Sequence, residues 1–178
     1  MIKLLTIPLI LLSTQTLAQD YDRSQWRHWV DEDGDCQDAR VEILVRDLDV
    51  ELDQEFSDCR IPFGLWLDPF TGAIFSDSSD LDIDHIVPLS YANKVGGHKW
   101  SPLLKKLFAN DPDNLMAVSA GQNRSKGDKG PSQYLPPDTK FHCEYIRIWE
   151  WVLRKYELDP LPEDDKVIDE MSRLCERR

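Results

Sequence analysis

The sequence predicts an α+β fold, on three observations. Apolar residues recur at helical spacing in several stretches, shorter stretches alternate as strands do, and the chain carries four cysteines in 178 residues. A hydrophobic content of 41% supports one compact core, and the length is too small for two full-sized domains. Charged residues at 30% and aromatics at 10% exclude a disordered, collagen-like or coiled-coil chain.

The first element is an address. Lys3, the apolar run Leu4–Leu12 and the small-residue ending Thr16-Leu17-Ala18 read as a secretory signal peptide, residues 1–18, cut after Ala18. The run is well short of the roughly 20 residues that span a bilayer, so no membrane partner is expected and the single domain is 19–178. A secreted or periplasmic location follows, and with it disulfides. Cys36, Cys59, Cys143 and Cys175 allow three pairings. The sequence-local one, Cys36 with Cys59 and Cys143 with Cys175, is favoured because each pair brackets its own supersecondary unit. No C-x-x-C pair occurs, so structural zinc is not expected.

Asp31-Glu32-Asp33-Gly34-Asp35 is an acidic turn leading into a helix over Gln37–Leu48, where Val41, Leu44, Val45 and Leu48 fall on one face. With Glu42, this turn superficially resembles a calcium loop, but Cys36 stands where the sharp turn requires Gly, and a solvated turn is the favoured reading. Pro62–Leu67 and Ala73–Phe75 flank Asp68-Pro69-Phe70-Thr71-Gly72 as a hairpin. Leu81–Asp84 alternates as a half-buried strand, which Pro88 prevents from continuing. Ser101-Pro102 caps and opens a short helix through Phe108. Leu115, Ala117 and Ser119 face one way from a further strand, and Met116 and Val118 the other. Tyr145–Tyr156 and Val167–Leu174 are core helices parted by Asp159-Pro160-Leu161-Pro162, and packing is the favoured role of Trp149 and Trp151.

Charge is uneven. Residues 19–84 carry 5 basic and 19 acidic side chains, whereas residues 85–130 carry 7 and 3. A polyanionic partner would therefore be met by the central segment, against the field of a chain with net charge −12. Lys94, Lys99, Lys105 and Lys106 are candidates for backbone contacts there, with a solvated face as the alternative for each.

The residues that suggest chemistry are Asp82-Ile83-Asp84-His85-Ile86-Val87-Pro88, then Asn114, then Asn123-Arg124-Ser125-Lys126-Gly127-Asp128. A strand delivers Asp and His, a second strand opens with Asn, and a polar helix start presents Asn. That order resembles the ββα-metal motif of the HNH nucleases. The likeness extends to secreted HNH endonucleases with a domain related to the C-terminal part of GmrSD restriction enzymes. It runs through Tyr21-Asp22-Arg23, Asp33-Gly34-Asp35-Cys36, Arg46-Asp47-Leu48, Asp68–Gly72, Ile83–Leu89, Phe108–Asp111, Asn114-Leu115, Asn123–Asp128 and Leu135-Pro136-Pro137. Ala39 and Asn93 depart from the pattern, where Thr and Trp are expected.

The resemblance implies an α+β fold with a ββα-metal (HNH) core over about residues 80–130, an added β-hairpin and flanking helices. It implies catalytic residues His85, Asp84, Asn114 and Asn123, with His85 activating water and Asn114 fixing its loop by hydrogen bonds. Asp84 and Asn123 would hold one Mg²⁺ or Mn²⁺ ion, for which carboxylate and amide oxygens are suitably hard ligands. Arg124 and Lys126, beside a helix N-terminus, would bind phosphate. The implied substrate is DNA, with RNA as a further one, and no obligate protein partner. Adjacent strand residues face opposite ways, so Asp84 and His85 serve one centre only if the backbone turns there. A noncatalytic secreted module with a calcium-binding acidic loop is the competing expectation. His28, His98 and His142 have no comparable framework and read as packed or surface histidines.

Overall fold

The computed structural model describes residues 20–49 and 59–177, so the expected signal peptide lies outside the described residues. Asp22 caps a short 3₁₀ turn, Arg23–Gln25, by accepting from the Ser24 amide. Helix α1, Ala39–Arg46, starts at Asp38, whose carboxylate accepts from the Val41 amide. It stops short of the expected Leu48 because Leu48 leaves the helix to bridge Trp66. Strands β1, Phe63–Leu67, and β2, Ile74–Asp77, form an antiparallel hairpin. Its turn is closed by the buried Asp68, which accepts from the Phe70 amide and the Thr71 hydroxyl.

Strand β3, Leu81–His85, is followed by helix α2, Leu89–Lys94, and helix α3, Pro102–Ala109. Ser101 caps α3 through the Leu104 amide, with Pro102 in the first turn as the sequence predicts. Strand β4, Leu115–Ser119, pairs antiparallel with β3 in the register Leu81↔Ser119 to His85↔Leu115, and helix α4, Ala120–Lys126, follows directly. Together β3, β4 and α4 make the ββα unit. Helices α5, His142–Lys155, and α6, Pro162–Cys175, complete the described chain.

The β3–β4 pair separates two cores. Leu81, Ile83, Leu115 and Ala117 pack with Ile43, Leu44 and Trp66 on one side. Val118 belongs to the other core, with Phe70, Ile86, Phe108, Tyr145 and Trp149. The faces of β4 are thus those its alternation predicts. Trp149 is buried, but Trp151 is 48% exposed and donates its indole N–H to Asp113, so only one of the two packs inward. Disulfides join Cys36 to Cys59 and Cys143 to Cys175, the second tying α5 to α6. No described helix is long and apolar enough to cross a membrane.

Candidate active site

The site is built where β3 ends. The ladder finishes at His85, and the side chain of Asn114 carries the pairing two residues further. The Asn114 carbonyl accepts from the Ile86 amide at 2.9 Å, its side-chain oxygen accepts from the Val87 amide at 2.8 Å, and its side-chain nitrogen donates to the Val87 carbonyl at 3.1 Å. Asn114 is fully buried, so it braces the bend that carries the chain from His85 to Pro88. Asn114 is itself held in the turn Pro112–Asn114, capped by Asp111, which takes bonds from the Tyr156 hydroxyl and the Lys155 ammonium.

Asp84, His85 and Asn123 line one cleft of about 310 Å³, shared with Tyr21, Arg23 and Asp128. The bend therefore brings Asp84 and His85 to one concavity despite the strand alternation. Asn123 lies inside α4 rather than at its start, and its amide nitrogen donates to Asp82 at 3.0 Å. A carboxylate only accepts, so this bond fixes the amide orientation and leaves the Asn123 oxygen as a donor atom for something else.

The His85 Nε2 lies 2.9 Å from the Ala109 carbonyl, which accepts only, so the proton sits on Nε2 and Nδ1 keeps its lone pair. Burial, with the charges of Arg23 and Lys126, pushes the imidazole pKa down to about 3, despite the opposing Ala109 bond. The ring is neutral at any ordinary pH. Asp84 moves the other way: burial raises its carboxyl to about 6, against the pull of Lys126.

Lys126 corrects the sequence expectation. It is fully buried and donates to Asp84 Oδ1 at 2.9 Å and the His85 carbonyl at 2.8 Å, so its ammonium is committed inside the protein and does not face a phosphate. Arg124 is exposed, but it lines a different depression beside Phe75 and Ser79. Both residues sit in the last turn of α4, not at its N-terminus. Lys105 is likewise buried against Trp26 and bonded to Gln25, and Lys106 pairs with Glu32, whereas Lys94 and Lys99 are exposed. His28, His98 and His142 bond to the carbonyls of Trp26, Asn93 and Pro136.

The chemistry of the donor set fits a divalent cation. Asp84 Oδ2 is buried with no hydrogen-bond partner among the described residues, although Oδ1 is satisfied by Lys126. An orphaned buried carboxylate oxygen is costly unless another group takes it, and Asp84 lines the same cleft as Asn123. Two hard oxygens beside an open volume are the donors that Mg²⁺ or Mn²⁺ accepts while keeping several waters. The carboxylates of Asp31, Asp33 and Asp35 also cluster, but they are exposed. They accept from the loop's own amides, Asp31 from Gly34 and Cys36 and Asp35 from Gln37. Cys36 adopts φ +73°, the conformation for which a calcium loop uses glycine.

Sequence reasoning gave no role to Tyr21 and Arg23, which reach the cleft from some sixty residues upstream of β3. Their only signal was membership of the resembling segment Tyr21-Asp22-Arg23. Another concavity, of about 860 Å³ between α3 and Lys155-Tyr156, contains none of Asp84, His85, Asn114 and Asn123.

A family model for the C-terminal domain of GmrSD restriction endonucleases matches residues 44–160, a span that includes Asp84, His85, Asn114 and Asn123. An uncharacterized secreted protein of Arthroderma benhamiae is 36% identical over 158 residues, covering 87% of this chain and 76% of the relative. No solved structure matches the chain.

Proposed function

The chain belongs to the family of GmrSD restriction endonuclease C-terminal domains, and on that premise we propose that it is a secreted, metal-dependent endonuclease of the HNH type. Its substrate is DNA, and RNA to the extent that backbone contacts dominate, with little sequence preference. The observation that carries this reading is the shared cleft of Asp84, His85 and Asn123, together with the one Asp84 carboxylate oxygen that has no partner among the described residues. Export is supported by the signal-like N-terminus and by the description of the Arthroderma benhamiae relative.

Asp84 Oδ2 and the Asn123 amide oxygen would hold one Mg²⁺ or Mn²⁺ ion. The chemistry such an ion supplies is neutralisation of charge on the phosphoryl oxygens and on the departing 3′-oxygen. His85, its tautomer set by Ala109, takes a proton from water through Nδ1. The water oxygen attacks phosphorus, the P–O3′ bond breaks, the departing 3′-oxygen takes a proton from solvent, and a 5′-phosphate and a 3′-hydroxyl result. The His85 ring is neutral, so the Nδ1 lone pair is free to take the proton of the attacking water at any ordinary pH. Asp82 acts through Asn123, which it orients, and Asn114 acts through the bend, which it holds.

The test is incubation of the processed protein with supercoiled plasmid and Mg²⁺ or Mn²⁺. Nicking that stops with EDTA, and that falls about 10²- to 10⁴-fold in a folded His85→Ala variant, is the expected result. Undiminished cleavage by that variant would remove the proposed base. A noncatalytic module predicts no cleavage with either ion.

A further inference from the structure

The cleft poses an electrostatic problem that the sequence motif does not solve. Asp84 and Asp128 line it, Asp82 stands behind Asn123, and His85 is neutral. The two cations nearest in the motif are unavailable, Lys126 because it is buried on Asp84 and Arg124 because it lines another depression. An ion held by Asp84 and Asn123 would offset part of the charge of an entering phosphodiester, and a cationic side chain that grips the non-bridging oxygens must come from elsewhere in the lining. Among the described residues that line it, Arg23 is the one cation.

We propose that Arg23, with the Tyr21 hydroxyl beside it, is the phosphate-binding element of the cleft, gripping non-bridging oxygens of the nucleic-acid backbone next to the His85 side. The proposal rests on the nuclease reading above and deepens it.

Three observations converge. Arg23 is exposed, and no ion pair engages its guanidinium among the described residues; it interacts with the Tyr21 side chain, which leaves most of its donors open to a ligand. The Tyr21 hydroxyl is buried at the cleft and makes no hydrogen bond of normal geometry, although it neighbours Arg23; its pKa is raised, chiefly by burial. A buried hydroxyl with no partner is a donor awaiting an acceptor. The support is also rigid. Asp22 accepts from the Ser24 amide and hydroxyl, the Trp26 amide donates to the Arg23 carbonyl, and the Trp26 ring is fully buried between Tyr21, Trp100 and Phe108. Lys105 further pins this turn from α3 through Gln25. A guanidinium on a fixed base loses less freedom when it binds a phosphate in its planar fork than a lysine on a mobile loop would.

Two measurements on the full processed chain test this. The first is anisotropy of a fluorescent duplex oligonucleotide in EDTA, as a function of salt. The second is kcat/KM for its cleavage with Mn²⁺. Arg23→Ala is expected to reduce the log–log salt slope of binding by about one. It should also lower kcat/KM about 100-fold, a loss of the size seen when one charge-stabilising donor is removed. Arg23→Lys should restore the slope but only part of kcat/KM, since it keeps the charge and not the fork. Tyr21→Phe should lower kcat/KM about tenfold with the slope unchanged. Lys166→Ala, an exposed cation on α6 outside the cleft, should change neither. Should Arg23→Ala fail to fold, Arg23→Gln carries the same expectation.

Wild-type binding and cleavage by Arg23→Ala would overturn the proposal and leave the nuclease reading intact. A wild type that binds but does not cleave, with the salt slope reduced in Arg23→Ala, would uphold phosphate capture and refute the nuclease reading. A wild-type protein that does not bind the oligonucleotide overturns the proposal.

Discussion

Asp84 and His85 are neighbours in sequence, yet the same burial drives their ionisation in opposite directions, the carboxyl up to about 6 and the imidazole down to about 3. Burial disfavours charge on either, and the result is a neutral base next to a carboxylate that is still ionised at neutral pH. The sign for cation binding follows. Asp84 must be ionised to hold a divalent ion, so protons compete only below its pKa, and His85 offers no competition until far lower. Mn²⁺ affinity measured by calorimetry is therefore expected to be constant above about pH 7 and to weaken about tenfold per unit below about pH 6. Affinity that stays flat down to pH 5 would contradict this assignment. Lys126 shows what a single residue hides from sequence inspection. In a polar run, Asn-Arg-Ser-Lys-Gly, a lysine reads as solvated or phosphate-facing, and only the fold reveals that its ammonium is enclosed on Asp84 and the His85 carbonyl.

Elements defined by local signals were legible. The Ser101-Pro102 start of α3, the alternation of β4, the Asp68–Gly72 turn and both long C-terminal helices all follow from spacing and capping. Helix α2 was not foreseen, because Pro88 signals the end of a strand without saying what comes next, and its six residues carry little periodicity. The placement of Asn123 inside α4, not at its start, likewise needed the structure, since the Ser119 cap lies four residues earlier and leaves no mark on Asn123 itself. The joint between β3 and α2 makes a further prediction at this scale. Asn114→Ala deletes two buried side-chain bonds and strands the Val87 amide and carbonyl. Removing one partner of a buried pair costs about 1–3 kcal/mol per group left behind. Urea unfolding should register a loss in that range or above, and cleavage should fall with it. An unchanged midpoint would mean that the bend holds without the amide.

At the scale of the whole molecule, the site depends on contacts between distant segments. Strands β3 and β4 meet across a 29-residue excursion through α2 and α3, and the N-terminal turn reaches back to the same cleft. Such pairings leave no periodic trace, so they entered the sequence reading only through family resemblance. The two disulfides are the exception, since their local pairing follows from the segments they bracket. On the proposed reading a polyanion would meet a chain of net charge −12 at one cleft that Arg23 lines, while four of the nineteen acidic side chains of residues 19–84 stand on the Asp31–Asp35 loop, where Asp31, Asp33 and Asp35 are exposed. The central claim is that one divalent ion is held by Asp84 and Asn123 beside His85. Its most direct test is Mn²⁺ titration followed by electron paramagnetic resonance, on wild type and on folded Asp84→Asn and Asn123→Ala variants. The account predicts one tight site per chain, weakened in both variants and retained in Asp33→Ala. Mn²⁺ binding that survives in Asp84→Asn and disappears in Asp33→Ala would contradict it.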